Sequence, residues 1–287
     1  MSNVLIRDRD CLLGQKLVQY FTEKGWNIIK QSPFGNDEKI DLVICNNETH
    51  YESYRNFMKM FNTRKEYSTA KLILLSTSKL YSPTPDTWRY GNTRIVSDYD
   101  IRCDEFSHIP KAYLYGFRDS DTIISQKYIN LGMIDKLTED WGSRRYIFRL
   151  GCIVGYDVEK AKGFLSNIVK CSMKNERFTM YGYDGKQIRD QLHWRDLCRA
   201  IVMLYNTQPK ENVFNIGGGM ENSLSPIEAV SLVNKFRFFK NFDYSDEVKD
   251  NKPVYITNYN KATKEFGWKP EIGLEEIVKG MIEDYKK

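Results

Sequence analysis

Residues Val4–Ile29 read VLIRDRDCLLGQKLVQYFTEKGWNII, and this stretch decides the fold class. Val4–Ile6 is a short apolar run that predicts a β-strand, and Leu12–Lys24 carries apolar residues at the spacing of one helix face. Gly25 stands where a helix of this length ends, in a position that favours glycine. Trp26–Ile29 predicts the next strand. The stretch therefore predicts a strand, a helix and a second strand in succession.

The same alternation continues over the first two thirds of the chain. Three further apolar runs and two helical patterns follow: IDLVIC (Ile40–Cys45), a helix near Tyr54–Tyr67, KLILLS (Lys71–Ser76), a helix near Ile123–Trp141, and YIFRL (Tyr146–Leu150). Continuous apolar strands that alternate with helices are typical of a parallel sheet buried on both faces. We therefore predict a doubly wound α/β fold.

The pattern changes in two places. Ser82–Asp121 is turn-rich, and an irregular stretch of this length is normally functional, as a lid or the rim of a substrate site. Past Gly151 we predict a smaller C-terminal lobe, with helices Gly163–Lys174, Leu197–Tyr205, Pro226–Phe236 and Leu274–Tyr285 and strands Phe178–Tyr181 and Val213–Ile216. Ligands are expected in the cleft between the two parts, at the carboxyl ends of the parallel strands.

Composition excludes several classes of protein. Of 287 residues, 41% are apolar and 28% charged, the balance of a globular domain rather than a disordered chain. No apolar run approaches the roughly 18 residues of a membrane span, and the first residues do not resemble a signal peptide. The net charge of +5 is spread along the chain and does not indicate nucleic-acid binding. Six cysteines without a CxxC pair and only three histidines predict reduced thiols and no metal site. We expect a cytoplasmic protein.

The segment YGYDGKQIRDQLHWRDL (Tyr181–Leu197) carries the clearest chemical signal. Lys186 and Arg189 flank a turn made by Asp184 and Gly185. An arginine here can bind two phosphate oxygens at once, with the lysine as a second positive charge. From the spacing alone, a charged and solvent-exposed hairpin explains the segment equally well.

Two helix starts are predicted in this region. Asp196 is expected to be the N-cap of the helix that follows it. Ser225 is expected to begin another helix, with Pro226 at the first position and Glu228 completing a capping box.

Four further stretches belong with this segment: STSKLY (Ser76–Tyr81), FRLGCIVG (Phe148–Gly155), GFLSNIVKC (Gly163–Cys171) and FNIGGGMENSLSPIEAV (Phe214–Val230). Together they resemble the extended short-chain dehydrogenase/reductase family, and within it the nucleotide-sugar epimerases of the CDP-paratose 2-epimerase kind. The resemblance implies a Rossmann-like, dinucleotide-binding domain over residues 1–155. It also implies a substrate-binding lobe over residues 156–287, interleaved with the first domain.

The resemblance implies a nucleotide-diphosphate sugar of the CDP- or UDP-hexose class as the bound partner. The predicted substrate-binding residues stand in the family's GKQxRDxxH pattern and are Lys186, Gln187, Arg189, Asp190 and His193. In the family, the arginine of this pattern helps to hold the diphosphate, and Gly217–Gly219 match its GGG turn. His193 has a second interpretation, because a lone histidine before a helix is more often a packed, hydrogen-bonded residue than a catalyst.

The family's cofactor is NAD(P), whose pyrophosphate binds a GxxGxxG turn at a helix N-terminus. In this chain the three glycine positions are Asp8, Cys11 and Gly14, so only the third glycine is present. The carboxylates of Asp8 and Asp10 would face the pyrophosphate with the same charge. We therefore predict weakened or lost NAD(P) binding, with these residues as the remaining cofactor contacts: Gly14, Arg7 and Lys127.

The family's reaction is a transient oxidation of the sugar by NAD, which needs a Ser or Thr and a tyrosine and lysine in YxxxK spacing. The resemblance places Thr77 at the Ser/Thr position, Lys127 at the lysine position and Ile123 at the tyrosine position. An isoleucine cannot exchange a proton, so the chemistry is predicted to be impaired or lost. The alternative is a substitute tyrosine, for which the candidates are Tyr113, Tyr115 and Tyr128.

Three functions follow from these residues. The favoured one is an epimerase-like protein that keeps nucleotide-sugar binding without NAD chemistry. The second is a working NAD-dependent epimerase or dehydratase with an unusual proton carrier. The third is a structural or assembly protein that reuses the fold. Because the helix near Ile123–Trp141 is apolar on more than one side, we also expect a homodimer.

Overall fold

A six-stranded parallel sheet forms the centre of the molecule, as seen in a computed structural model that describes residues 1–30, 38–46, 50–81, 88–97, 102–103, 126–140, 144–248 and 253–287. Its strands are β1 (Asn3–Arg7), β2 (Asn27–Ile29), β3 (Leu42–Cys45), β4 (Lys71–Thr77), β8 (Arg145–Leu150) and β12 (Val213–Ile216). They lie in the order β12-β8-β4-β3-β1-β2. The carboxyl ends of all six strands therefore meet at one edge.

Helices cover both faces of this sheet. One face packs against α1 (Leu12–Glu23), α5 (Trp194–Tyr205) and α7 (Asn260–Phe266), and the other against α2 (Tyr51–Thr63) and α3 (Gln126–Asp140). Within β1, Val4 and Ile6 join the first layer and Leu5 joins the second, because successive side chains of a strand point to opposite faces. The predicted doubly wound α/β fold is confirmed.

The first βαβ unit forms as its sequence predicts. Helix α1 covers Leu12–Glu23, with Lys24 as its C-cap. Gly25 follows with a φ of +75°, the left-handed conformation that glycine adopts without strain. The buried side chains of α1, among them Leu17 and Phe21, form the apolar face that the periodicity indicated.

The stretch between Ser82 and Asp121 is more regular than expected where the structure describes it. Strands β5 (Trp88–Tyr90) and β6 (Ile95–Ser97) form an antiparallel pair, and β7 (Arg102–Cys103) pairs with β15 (Val254–Thr257). The prediction of a wholly irregular segment is therefore wrong for these residues. Two- and three-residue strands are too short to leave a periodic pattern, and β7 is ordered by a partner that lies far along the chain.

The remaining elements build the smaller, C-terminal part. Helices α4 (Phe164–Lys174), α6 (Pro226–Asn234) and α8 (Leu274–Tyr285) pack together beside β10 (Phe178–Tyr181), which pairs in parallel with β14 (Phe242–Ser245). Strand β11 (Ile188–His193) runs parallel to β9 (Cys152–Val154) and to β15, and antiparallel to β13 (Ser223–Leu224). Strand β12, from the second half of the chain, joins the central sheet beside β8.

The start of α5 differs from the prediction. His193, not Asp196, is the N-cap, and its Nδ1 accepts a hydrogen bond of 3.3 Å from the backbone N–H of Arg195. Asp196 lies inside the first turn, where its carboxylate accepts the backbone N–H groups of Glu271 and Ile272 at 3.0 and 2.9 Å. The predicted cap residue is therefore used instead to hold a distant loop against the helix.

The start of α6 agrees with the prediction. Ser225 Oγ accepts the backbone N–H of Glu228, and the Glu228 carboxylate accepts the backbone N–H of Ser225, which is a capping box. The same carboxylate accepts hydrogen bonds from Arg94 at 2.6 and 2.7 Å. The loop between β5 and β6 is thereby anchored on α6.

Helix α3 buries much of its apolar surface within one chain. Leu131 and Ile134 are buried, whereas Met133 and Leu137 remain partly exposed. The homodimer expected from this helix therefore stays a prediction. In the part of the chain that the structure describes, no helix is long and apolar enough to cross a membrane.

Candidate functional site

A groove of about 420 Å³ lies in the smaller part of the molecule, bordered by β10, the first turns of α4 and the beginning of β11. Two of the predicted substrate-binding residues, Gln187 and Arg189, line it. The rest of the lining consists of Lys162, Phe164, Asn167, Phe178, Thr179, Met180, Tyr181, Tyr183 and Pro226. Sequence reasoning did not assign these residues to the site. Tyr181 and Tyr183 lie in the same segment as Gln187 and Arg189, whereas the others come from segments that only the fold brings together.

The charged side chains that line this groove are positive. Lys162 and Arg189 are its charged residues, and none of the described lining residues is acidic. Arg189 is half-buried, and its Nη1 donates a hydrogen bond of 2.6 Å to the carbonyl oxygen of Ile188. This bond restrains the guanidinium group, which is positively charged at neutral pH. The groove therefore suits a ligand with negative charge.

Aromatic rings and amides make up much of the remaining surface. Gln187 Nε2 donates a hydrogen bond of 3.0 Å to the carbonyl oxygen of Tyr181, which orients the amide. Asn167 adds a second amide, and the rings of Phe164 and Phe178 add flat apolar surface. A planar base can stack on such rings while its edge bonds to amides.

Lys186, Asp190 and His193 are not among the residues that line the groove. The Lys186 ammonium lies 5.5 Å from the centre of the Tyr90 ring, a cation–π contact that holds it toward the β5–β6 pair. Lys186 therefore adds positive charge near the groove without being part of its wall.

Asp190 follows Arg189 in β11 and holds the Gly217–Gly219 turn. Its side chain is 0% exposed, and its Oδ2 accepts the backbone N–H of Gly219 at 3.1 Å. Burial raises the pKa of this carboxyl group, and the hydrogen bond from the Gly219 backbone N–H opposes the rise. A Cβ atom on Gly217 would lie 2.5 Å from Asp190 Oδ2, so the turn can approach the carboxyl only as glycine. Asp190 is thus placed to position this turn rather than to touch a ligand directly.

His193 is packed against the backbone. Besides capping α5, its ring lies so close to Gly155 that a Cβ atom there would come within 2.2 Å of His193 Cδ2. Burial lowers the pKa of His193 from 6.5 to about 4, which keeps the imidazole neutral near pH 7. These contacts match the packed, hydrogen-bonded interpretation of this residue.

The buried His193 makes the stability of the protein depend on pH. Its folded-state pKa of about 4 lies below its unfolded value of 6.5, so only the unfolded chain binds the proton between these values. We expect the free energy of unfolding to fall by about 2–3 kcal/mol between pH 7 and pH 4.5 through this residue. Urea unfolding of wild type and His193→Asn at both pH values measures the difference.

The matched control for this experiment is the exposed His50. Asparagine keeps an acceptor at the N-cap and does not titrate, so His193→Asn is expected to flatten the pH dependence, whereas His50→Asn is expected to leave it unchanged. Equal pH dependence of stability in wild type and His193→Asn would contradict the lowered pKa of His193.

Of the predicted catalytic residues, Thr77 lies at the carboxyl edge of the central sheet. Thr77 ends β4, and its Oγ1 accepts the backbone N–H of Lys79 at 3.3 Å. Lys127 is in the first turn of α3, but its side chain lies outside the described part of the structure, and so does Ile123. The candidate tyrosine side chains at 113, 115 and 128 also lie outside it. The pairing of Thr77 with Lys127 therefore stays a prediction.

A buried charge cluster at the same edge was missed by sequence reasoning. Arg149 Nε donates to Asp135 Oδ2 at 3.1 Å, and Arg149 Nη1 donates to the Tyr81 hydroxyl at 3.1 Å. That hydroxyl donates in turn to Asn215 Oδ1 at 2.6 Å. Asp135 is 1% exposed. The cluster ties α3 to β8, β12 and the turn after β4, directly beside Thr77.

The turn between β1 and α1 is the position at which a Rossmann fold binds a pyrophosphate. Asp8 has a φ of +51°, in the left-handed region that favours glycine. Cys11 is the N-cap of α1, and its Sγ accepts the backbone N–H of Gly14 at 3.3 Å. A Cβ atom on Gly14 would lie 2.3 Å from the carbonyl oxygen of Asp8, so this glycine keeps the turn packed on the helix.

These residues do not fit a dinucleotide pyrophosphate. The N–H of Gly14 is already bonded to a side chain, and the carboxylates of Asp8 and Asp10 are exposed on the turn. Arg7, predicted as a cofactor contact, places its guanidinium carbon 4.2 Å from the centre of the Phe57 ring, toward α2. The turn thus retains its packing glycine, and it places two exposed carboxylates, with Arg9 between them, where a phosphate would have to bind.

Comparison with known proteins agrees with the predicted resemblance. Residues 124–217 match the NAD dependent epimerase/dehydratase family. The chain is 25% identical over 231 residues to the CDP-paratose 2-epimerase of Salmonella typhi. The matched stretch covers 77% of this chain and 66% of that protein. It is also 27% identical over 158 residues to a putative UDP-glucose 4-epimerase of Methanocaldococcus jannaschii. That match covers 54% of this chain and 50% of the other protein. The matches span about half to two thirds of the length of these relatives.

Solved structures show the same fold. A dTDP-glucose 4,6-dehydratase from Bacillus anthracis in complex with NAD superposes with a TM-score of 0.72 and 17% identity, covering 100% of this chain and 97% of that one. A UDP-glucose 4-epimerase from Thermotoga maritima with UDP-glucose has a TM-score of 0.72 and 18% identity, covering 99% and 98%. The resemblance to nucleotide-sugar epimerases and dehydratases is confirmed, and with it the Rossmann-like fold.

Proposed function

From this resemblance to nucleotide-sugar epimerases and dehydratases, we propose that the chain binds a nucleotide-diphosphate sugar and does not carry out NAD-dependent redox chemistry. The observation that carries the proposal is the groove along β10, where Lys162 and Arg189 meet aromatic rings and amides with no acidic side chain among the described lining. The relatives that the chain resembles are named for CDP-, UDP- and dTDP-sugars.

The groove matches the chemical parts of such a ligand. A diphosphate carries negative charge, which is complementary to the positive charges of Arg189 and Lys162 in the lining. The rings of Phe164 and Phe178 offer stacking surface for a base, and the amides of Asn167 and Gln187 can bond to its edge. Asp190, the next residue of β11, supports Arg189 indirectly, since it holds the Gly217–Gly219 turn against this strand.

The absence of redox chemistry rests on two unrelated positions. The turn between β1 and α1 does not fit a pyrophosphate, and the resemblance places Ile123 at the family's proton-carrying tyrosine position. Either change alone would weaken NAD-dependent oxidation of a sugar, because one removes the cofactor site and the other removes the proton acceptor. Both together favour a binding function over a modified catalytic one.

Ligand binding can be measured by isothermal titration calorimetry with CDP-, UDP-, GDP- and dTDP-hexoses. We expect saturable binding of at least one of them, and Arg189→Ala to weaken its affinity by about tenfold to a hundredfold. That loss corresponds to one charge-assisted hydrogen-bonding group on a phosphate. Arg55→Ala, on the exposed face of α2, is the matched control and should bind like wild type.

Three outcomes separate the candidate functions. Binding that Arg189→Ala leaves unchanged would place the ligand elsewhere. No binding of any of the four sugars would favour the assembly protein. Conversion of a bound sugar nucleotide to its epimer in the presence of NAD, detected by proton NMR, would support the working enzyme with another proton carrier.

A further inference from the structure

We infer that the turn between β1 and α1 is closed by the chain's own side chains: the Cys11 thiol takes the Gly14 N–H and stands in the space that a pyrophosphate would need, which excludes a dinucleotide. This goes beyond missing glycines, because it names the groups that take the place of the pyrophosphate. It is also independent of the groove along β10, which lies in the other part of the molecule.

The thiol of Cys11 acts as an internal acceptor at the helix N-terminus. Helix N-termini bind anions because their first N–H groups have no partner within the helix. In α1 the Gly14 N–H points at Cys11 Sγ, 3.3 Å away, and so is already used. A side chain therefore stands where the second glycine of a pyrophosphate turn leaves space for the ligand.

A second strand ties this thiol in place. Asn46, directly after β3, is 4% exposed and donates from Nδ2 to Cys11 Sγ at 2.9 Å. The same amide nitrogen lies 3.5 Å from the carbonyl oxygen of Asp8. From the helix side, Gln15 Nε2 donates 2.8 Å to the carbonyl oxygen of Asp10. The turn is thus held from β3 and from α1 at the same time.

Charge adds to this closure. The exposed carboxylates of Asp8 and Asp10 flank the turn, and like charges at such short range oppose a pyrophosphate. Asp8 is also held at a φ of +51°, which a glycine would adopt more easily. Since Arg7 lies on the Phe57 ring, its charge is directed toward α2.

Restoring the two glycines should reopen the site. We expect wild type to show no saturable NAD binding up to about 1 mM in isothermal titration calorimetry, and Asp8→Gly/Cys11→Gly to bind NAD at least about tenfold more tightly. The double variant removes the Cys11 thiol that accepts the Gly14 N–H, and it replaces Asp8, which carries one of the two carboxylates and has a positive φ, with glycine. Circular dichroism establishes that it is folded.

Cys11→Ser is the matched control. Serine is a good N-cap and keeps an acceptor for the Gly14 N–H, so this variant should bind NAD no better than wild type. The nucleotide-sugar affinity of the double variant should be unchanged, and this separates a failure at the turn from a failure at the groove.

Saturable wild-type binding at micromolar NAD would overturn the inference, as would a folded double variant with no gain in affinity. If the double variant does not fold, Cys11→Gly alone decides, since it also frees the Gly14 N–H. Its expected gain is smaller but of the same sign, and a folded Cys11→Gly without any gain would equally contradict the closed turn.

Discussion

Replacing Arg149 with methionine is expected to lower the free energy of unfolding by about 3–5 kcal/mol, because breaking a buried ion pair leaves an uncompensated charge. The charge in question is Asp135, which is 1% exposed and 3.1 Å from Arg149 Nε. The Tyr81 hydroxyl would lose its donor as well. Urea unfolding at pH 7, followed by circular dichroism, measures the effect.

Two further variants identify the cause. Asp135→Leu/Arg149→Met removes both charges and should recover most of the lost stability, since apolar replacement of a buried pair is often near neutral. Arg55→Met removes an exposed arginine and should change stability by less than about 0.5 kcal/mol.

The Arg149→Met deficit should also depend on pH. Burial raises the pKa of Asp135 in the folded protein, so lowering the pH protonates this carboxyl and relieves the missing positive charge. The deficit is therefore expected to shrink as the pH is lowered from 7. A deficit in Arg149→Met no larger than that in Arg55→Met would contradict the buried pair.

Gly218→Ala should have the second largest effect. We expect it to lower the free energy of unfolding by about 2–3 kcal/mol through overpacking. A Cβ atom at this position would lie 2.1 Å from the carbonyl oxygen of Gln191, which belongs to β11, and 2.8 Å from Asn222 Cβ. Because one of these neighbours is backbone, either the turn or β11 has to move. Since Arg189 lies on the same strand, the variant should also weaken nucleotide-sugar binding in the groove.

The matched control for this substitution is Gly280→Ala in the interior of α8. A Cβ atom at Gly280 would meet no atom within 4 Å apart from its chain neighbours and the nearby backbone of its own helix, and alanine favours the helix over glycine by about 0.5–1 kcal/mol. We expect Gly280→Ala to be neutral or slightly stabilising under the same urea titration. A Gly218→Ala protein as stable as Gly280→Ala would show that the turn adapts without strain.

The regular elements could be predicted because their signals are local. The apolar runs at Lys71–Ser76 and Tyr146–Leu150 lie within strands that the structure extends by one residue, and Phe178–Tyr181 coincides with β10. The N-cap of α5 could not be predicted in the same way. Asp196 has the preferred chemistry for a cap, but its carboxylate binds the backbone at 271 and 272, some 75 residues further on.

The candidate site was predictable only where one segment supplies it. Gln187 and Arg189 stand close together in a recognisable pattern, and both line the groove. Lys162 and Phe178 lie in other segments and have no distinguishing pattern of their own. In the sequence, Arg149 is one residue of a predicted strand, and only the fold shows that it contacts Asp135.

By itself, the sequence determined the α/β class and the replacement of two turn glycines by Asp8 and Cys11, because side-chain identity and apolar periodicity are local properties. Only the tertiary structure decided what those replacements do. Cys11 and Asn46 are 35 residues apart in the chain, and their 2.9 Å contact exists because parallel pairing of β1 with β3 brings the ends of both strands to one edge. A hydrogen bond depends on distance and direction between two groups, and the packing of the whole sheet sets both.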